Sequence, residues 1–343
     1  MNNFKAFVLE KKNKISLKDN LVIPKLKKFQ VLVKIDYTSV CGSQIFEISG
    51  KRGKDKYLPH LLGHEASGVV LEKHKSVKKI KKGDNVILTW IKCNGGEAGG
   101  TTINDKNGKT YNAGPITTFS NFAVISENRL IKKPEKMHSE TACLFGCCIP
   151  TGFGMALNYF KVTNKDKVLI VGLGGIGLSS LIALIHKKPK TIILIDNDKK
   201  KINQMKKLGF KNSFYIENKN MDKLKLKLSN SDIDYCIEAT GRSQMIEYCF
   251  DIIKDNGSLV FASHPEYNKK ISLDPHALIR GKRIYGSWGG GGFLDNDIYQ
   301  YWQIFKKSPI SSLFFKKIYT FNELKLSISD FKSKKTLRPI IKI

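Results

Sequence analysis

The chain has 343 residues, 59 Lys and Arg against 30 Asp and Glu for a formal charge of +29, and 41% hydrophobic residues. That length and apolar content support two cores of ordinary size and exclude a disordered or fibrous chain. No stretch approaches the roughly 20 apolar residues that cross a bilayer, and MNNFKAFVLE lacks a secretory apolar run, so a cytoplasmic protein without a membrane partner is expected.

In chain order, VLVKIDYTSV, GVVLEK and GDNVILTW alternate with turn signals and predict strands, making the first third mainly β. From Lys167 the pattern changes: a buried run KVLIVG, an apolar helix LSSLIALIHK and a second buried run TIILID predict a β-α-β unit. KKKINQMKKLGF predicts a helix ending at Gly209, followed by strand IDYCIEAT, helix MIEYCFDIIK and strand GSLVFAS. Strands separated by helices imply a parallel sheet. After Gly286 come the glycine-rich GSWGGGG, a helix around DIYQYWQIFKK and a last short strand.

Seven scattered cysteines fit reduced thiols or metal ligands better than a disulfide framework. The lysines are spread along the chain among many Asn and Ile, the imprint of AT-rich coding, so a solvated basic surface is expected rather than a nucleic-acid partner.

In VGLGGIG, Gly172, Gly174 and Gly177 have the G-x-G-x-x-G spacing between an apolar strand and an apolar helix. Gly172 permits the sharp turn, Gly174 a close approach of backbone to pyrophosphate, and Gly177 close packing of helix on strand, with Gly175 and Ile176 completing the cradle. Asp196 ends the next strand about 20 residues on, where a carboxylate binds ribose hydroxyls and repels a 2′-phosphate. NAD is therefore expected over NADP, although Asp196 also fits a helix N-cap and Lys199–Lys201 weaken phosphate exclusion.

Cys41 and His64 lie in turns of the β-rich region and Cys147 just before the dinucleotide unit. Thiolates with an imidazole suit zinc, and three protein ligands leave a position open for substrate. Spacing alone leaves core packing as an alternative for each.

GHEASGVV, KKGDNVIL, CCIPTGFG and VGLGGIG together resemble the zinc-type medium-chain alcohol and polyol dehydrogenases over nearly the whole chain. The resemblance implies an α/β fold, with a Rossmann-type parallel-sheet domain at 151–285 and a mainly β, GroES-like catalytic domain at 1–150 that resumes at 286–343. It implies Cys41, His64 and Cys147 as ligands of one catalytic zinc, with Glu65 as an acidic neighbour able to approach or replace a ligand. Cys147 is preferred over Cys148 by its spacing to Thr151-Gly152. Ser43 is implied as the hydroxyl that bonds the substrate alcohol and passes its proton outward. Thr240 and Arg242 in EATGR are implied on the cofactor and Arg338 on its pyrophosphate, with solvated surface arginines as the alternative.

The implied activity is zinc-assisted hydride transfer between NAD(H) and an alcohol or ketone, the substrate being a polyol, sugar derivative or secondary alcohol. Lys51, Arg52, Lys54 and Lys56 make an anionic substrate plausible, against the background of lysines elsewhere; Trp90, Phe119 and Trp288 are pocket or core residues. A homo-oligomer, dimer or tetramer, is expected. The alternatives are a zinc-free quinone or enone reductase of the same fold and, from another class, a basic dinucleotide-binding regulatory or nucleic-acid-binding protein.

Three departures from the family pattern stand out. Many relatives carry a structural zinc on four close cysteines, whereas residues 90–120 here contain Cys93 alone, so no structural zinc is expected. Gln44 stands where an acid commonly orients the zinc-bound histidine, and Phe46 where a histidine often ends the proton relay.

Overall fold

The computed structural model describes residues 3–217, 220–229 and 231–343. Two compact units share the chain: Met1–Cys148 with Phe293–Trp302 and Ser312–Ile343, and Ile149–Gly292 with Gln303–Ser311. The return to the first unit, expected at 286, begins at Phe293. The delay has a physical cause: strand Arg283–Gly286 closes the parallel sheet, Ser287 N–H bonds Phe261 O at 2.7 Å, and Gly290 packs against Gly154.

The first unit is built on strand Gln30–Ser39, which pairs antiparallel with Glu65–Lys73, Phe122–Ser126 and the C-terminal Ile340–Lys342. Val31, Val33, Ile35, Ala66, Val70, Val86 and Leu88 fill the core beneath. A second sheet runs Lys14–Val22, Asn3–Lys11, His60–Leu61, Thr110–Gly114, Thr101–Asn104, and a bridge between Leu21 and Asp105 joins its outer strands. Its two hairpins were not expected from the sequence, although Asn107-Gly108 is a strong hairpin signal and Asn13 takes the left-handed φ of 61° at the other turn.

The second unit holds a six-stranded parallel sheet ordered Ser213–Tyr215, Thr191–Asp196, Lys167–Val171, Ile233–Glu238, Ile253–Phe261, Arg283–Gly286. Helices Gly175–Lys187, Lys199–Lys207 and Ser243–Ile252 alternate with the strands. The second of these ends as expected before Gly209, whose φ of +95° suits glycine. Strand order reverses between Lys167–Val171 and Ile233–Glu238, and the crevice beyond the carboxyl ends of two such strands is where doubly wound sheets bind ligands. Among the described residues no single helix is long and apolar enough to cross a membrane.

Candidate functional site

Strand pairing brings Cys41 and His64 together. Thr38 pairs with Ala66 in the antiparallel register, so the residues that leave one strand and enter the other come out side by side. Cys41 is the N-cap residue of helix Gly42–Ile48. Gly63, just before His64, has φ +94°, and a Cβ there would fall 2.4 Å from Thr118 Oγ1. Cys147 sits at the break between the short helix Cys143–Gly146 and helix Cys148–Leu157. Gly146 allows this approach, since a Cβ would lie 2.3 Å from Leu88 O, and Thr89 Oγ1 fastens the turn by donating to Gly146 O at 2.7 Å. The Cys41 and Cys147 sulfurs and a His64 ring nitrogen all lie within 4.8 Å of one another.

The two thiols are hydrogen-bonded to each other. The hydrogen bond from Cys147 holds Cys41 well below the usual thiol range, against the cost of burial and with help from Arg338 and His64. The same bond, together with burial, pushes Cys147 well above it. His64 Nε2 is buried without a hydrogen-bond partner.

Glu65 is fully buried and does not join this cluster. Its Oε1 accepts from Arg338 Nη2 and Ser39 Oγ, and its Oε2 from the Cys148 amide at 3.3 Å. Burial pushes the Glu65 carboxyl up while the Arg338 guanidinium works against that rise. Arg338 is not the solvated surface arginine offered as the alternative. It is 4% exposed, and its Nε donates to Ser39 Oγ at 3.2 Å. The cause is register: Ile340 pairs with Ser39, and Pro339 O accepts from Val40 N–H, which drives the preceding arginine into the space beside Glu65.

Ser43 Oγ is buried without a hydrogen-bond partner, in the first turn of the helix that follows Cys41. Gln44 Nε2 lies 2.8 Å from His64 Nδ1, beside the imidazole. Phe119 is 1% exposed and belongs to the core, whereas Trp288 is 70% exposed against the edge of His264.

In the parallel-sheet unit, Gly172 turns with φ +93° and its N–H bonds Ile195 O. A Cβ on Gly177 would fall 1.8 Å from Gly172 O, so the helix packs on the turn only with glycine there. A Cβ on Gly174 would meet nothing within 4 Å, and that open space lies before the helix N-terminus formed by Gly175, Ile176 and Gly177. Asp196 Oδ2 accepts from the Leu173 amide at 2.6 Å, while Oδ1 is buried and unpartnered. The helix N-cap is Asp198, which accepts from Lys200 N–H at 2.9 Å, so the capping alternative for Asp196 does not hold. Lys201 Nζ stands 3.6 Å from the Asp196 carboxylate. Thr240 and Arg242 are exposed in the turn after Ile233–Glu238, and Thr240 is the residue a Cβ on Gly172 would strike, at 2.8 Å.

Sequence reasoning passed over Glu238. It is fully buried and accepts from Thr240 N–H at 2.7 Å, Thr240 Oγ1 and Gly241 N–H, tying down the turn beside Gly172. Burial raises its carboxyl from 4.5 to about 7 against those bonds. With the folded pKa raised, the protonated form favours the fold fully below about pH 4.5, and that contribution is lost as pH rises to about 7. Denaturant unfolding at pH 5 and pH 8 checks this. Relative to Glu238→Gln, which cannot ionise, the native chain is expected to lose on the order of 3 kcal/mol across that interval. A constant difference between the two proteins refutes it.

Comparison with known proteins bears on this pair of sites. Residues 27–135 match the alcohol dehydrogenase GroES-like domain and residues 175–307 the zinc-binding dehydrogenase domain. S-(hydroxymethyl)glutathione dehydrogenase of Escherichia coli (strain SMS-3-5 / SECEC) is 30% identical over 294 residues, 77% of this chain and 79% of that protein. The chain belongs to the zinc-type alcohol dehydrogenase family. The enzyme of the same printed name from Komagataella pastoris is 27% identical over 81% of this chain and 80% of its own. Benzyl alcohol dehydrogenase from Acinetobacter calcoaceticus shares the fold with a TM-score of 0.86, 24% identity and 100% of both chains covered. A zinc-binding alcohol dehydrogenase domain protein from Burkholderia ambifaria does so at 0.88, with 23% identity and 99% coverage of each. This alcohol dehydrogenase is thus an oxidoreductase acting on CH-OH groups.

The lobe in which many members of the family carry four cysteines is fastened here by acids. Glu127 accepts from the amides of Lys78 (2.6 Å), Lys79 (2.5 Å) and Gly96 (3.0 Å). Burial pushes its carboxyl up, but those backbone bonds prevail and hold it below the usual range. Glu97 accepts from Ser126 Oγ and Asn128 Nδ2 and pairs with Arg129 at 3.4 Å. Cys93 points its thiol to Ile91 O, and burial pushes it up to about 12. The lobe of this dehydrogenase therefore rests on side-chain carboxylates as well as on the packing and backbone bonds expected for it.

Proposed function

We propose that the chain is an NAD-linked alcohol dehydrogenase with a single catalytic zinc on Cys41, His64 and Cys147, acting on a polyol, sugar derivative or secondary alcohol. The observation that carries this is the convergence of two sulfurs and an unpartnered imidazole nitrogen within 4.8 Å. The donor set fits zinc, and three ligands leave its fourth position to substrate. Charge fits too: two thiolates and the Glu65 carboxylate against the Arg338 guanidinium leave two negative charges, which a divalent cation cancels. The dinucleotide fits the open face at Gly174 and the unpartnered Asp196 Oδ1, a ready acceptor for a ribose hydroxyl.

Bound in these places, zinc supplies Lewis-acid polarisation of an alcohol oxygen, and the nicotinamide supplies the hydride acceptor. The chain does the rest. Cys41, His64 and Cys147 would hold the cation. Ser43 Oγ, two residues past Cys41 and without a protein partner, would accept a hydrogen bond from the substrate hydroxyl and, on taking its proton, release its own toward solvent. Phe46 offers no group to carry that proton further, so its exit differs from a histidine-terminated relay. Asp196 and the Gly172–Gly177 turn orient the dinucleotide, with Thr240 on the flank of that turn. The exposed cations Lys51, Arg52, Lys54 and Lys56 favour an anionic substrate among the alcohols offered.

Metal analysis together with a panel of polyols, sugar phosphates and secondary alcohols, each with NAD and NADP, tests the reading. About one zinc per chain and alcohol-dependent reduction of NAD in preference to NADP are expected. Full activity in metal-free protein establishes the zinc-free reductase instead. Steeply salt-dependent nucleic-acid binding without turnover establishes the regulatory alternative.

A further inference from the structure

Each of four parallel strands delivers a turn at its carboxyl end, and those turns touch in succession. A Cβ on Gly172, after Lys167–Val171, would strike Thr240 Cγ2, which follows Ile233–Glu238, at 2.8 Å. A Cβ on Gly241 would strike Ser263 Cβ at 2.8 Å and His264 O at 3.1 Å, in the turn after Ile253–Phe261. The His264 and Trp288 rings stand 5.8 Å apart at 86°, and Trp288 follows Arg283–Gly286. One continuous edge therefore runs from the glycine turn to Trp288. The backbone on either side of that residue is pinned: Ser287 N–H donates to Phe261 O at 2.7 Å, Gly290 N–H to Ser287 Oγ at 3.2 Å and Asn158 Nδ2 to Gly290 O at 2.9 Å. Ser287, Gly289 and Gly290 are buried, yet the indole among them is 70% exposed. A fixed turn thus presents a large aromatic ring on the edge of the sheet where doubly wound folds bind ligands.

We propose that Trp288 contacts the nicotinamide of a bound dinucleotide and holds its oxidised form more tightly than its reduced form, an inference that rests on the Gly172–Gly177 turn and Asp196 binding the other half. A dinucleotide lies across the point where strand order reverses, with one mononucleotide on each half of the sheet. Gly172 and Asp196 stand at the carboxyl ends of Lys167–Val171 and Thr191–Asp196, which belong to one half. The nicotinamide then falls to the other half, Ile233–Glu238, Ile253–Phe261 and Arg283–Gly286, at whose carboxyl ends His264 and Trp288 stand. The oxidised nicotinamide ring is a cation and the reduced ring is neutral. An indole face is rich in negative charge density and attracts a cation, whereas it offers a neutral ring apolar contact alone. A nicotinamide that meets the indole by its edge keeps both of its own faces clear for hydride transfer. His264, packed at right angles to the indole, restricts the rotation of that ring.

Calorimetric titrations of the full-length protein with oxidised NAD, NADH and ADP-ribose, which lacks the nicotinamide, test this. The variants are Trp288→Leu, which keeps apolar bulk without a π face, and Trp288→Phe, which keeps a weaker one. Trp288→Leu is expected to weaken oxidised NAD about tenfold and NADH no more than about threefold, with ADP-ribose unchanged. Trp288→Phe is expected to fall between the native chain and Trp288→Leu, and it serves as the readout if the leucine variant fails to fold. A loss for oxidised NAD no greater than that for NADH, or an equal loss for ADP-ribose, overturns the proposal. Native affinities in both variants overturn it as well, and a fall in molecular mass by light scattering in those variants would assign the exposed indole to a second copy of the chain. Failure of the native chain to bind ADP-ribose or NAD overturns the dinucleotide reading and this proposal together.

Discussion

Cys41→Ser and His64→Ala are each expected to yield a folded protein that has lost its zinc and at least about a thousandfold in alcohol oxidation rate, since Lewis-acid stabilisation amounts to several kcal/mol. The proposed ligands come from three separate turns, at the end of Gln30–Ser39, at the start of Glu65–Lys73 and after Gly146. Removing one leaves two ligands, fewer than the three or four of zinc sites. Glu65, the acid closest in sequence, is committed to Arg338, Ser39 and the Cys148 amide and does not fill the gap. A serine hydroxyl in place of Cys41 keeps the shape but ionises far less readily than a thiol, so it does not stand in as a ligand.

The fold survives because these substitutions touch neither the paired strands nor the core beneath them. Metal analysis with NADH absorbance on the same preparations checks the expectation, and thermal melting of the metal-free native protein sets the baseline. Retained zinc, or a rate within tenfold of native, refutes the ligand assignment. Restoration of zinc binding by Cys41→Ser combined with Glu65→Gln has no basis in this geometry and is not expected.

The glycine turn could be read from sequence because its chemistry is local: Gly172, Gly174 and Gly177 answer to steric demands set within a few residues. The β-α-β alternation was readable for the same reason, each buried strand being a continuous apolar run. Strands Thr101–Asn104 and Thr110–Gly114 are short and polar, so period-2 burial is faint in them and only Asn107-Gly108 advertised the hairpin. Cys41, His64 and Cys147 could be nominated by residue type, whereas their convergence depends on a register that no single segment contains. The role of Glu238, noticed only as the first residue of EATGR, escaped notice for the opposite reason. An acid ending a strand is commonplace in a sequence, and only burial and partners give it meaning. Arg338 was noticed, but its bonds to Ser39 and Glu65 could not be read because those residues are distant in the chain.

That pairing carries the second large effect. Arg338→Met is expected to destabilise the protein by about 3–5 kcal/mol, the usual consequence of stranding one member of a buried ion pair. The carboxyl of Glu65 is fully buried, burial already pushes it toward protonation, and the arginine is the main charge holding it ionised. Without the guanidinium, Glu65 keeps Ser39 Oγ and the Cys148 amide, which are two neutral donors for a charge with no counterion. The Cys41 thiolate loses a favourable neighbour as well, so the variant is also expected to hold zinc less firmly. Adding Glu65→Gln removes the stranded charge, and the double variant is expected to recover to within about 1–2 kcal/mol of native, since replacing both members of a buried pair is often near neutral. Urea unfolding of the native chain, both single variants and the double variant completes the cycle. If the two single losses simply add, Arg338 stabilises the fold by some route other than Glu65. A stable Arg338→Met that binds NAD poorly would support the pyrophosphate role that the family resemblance implies.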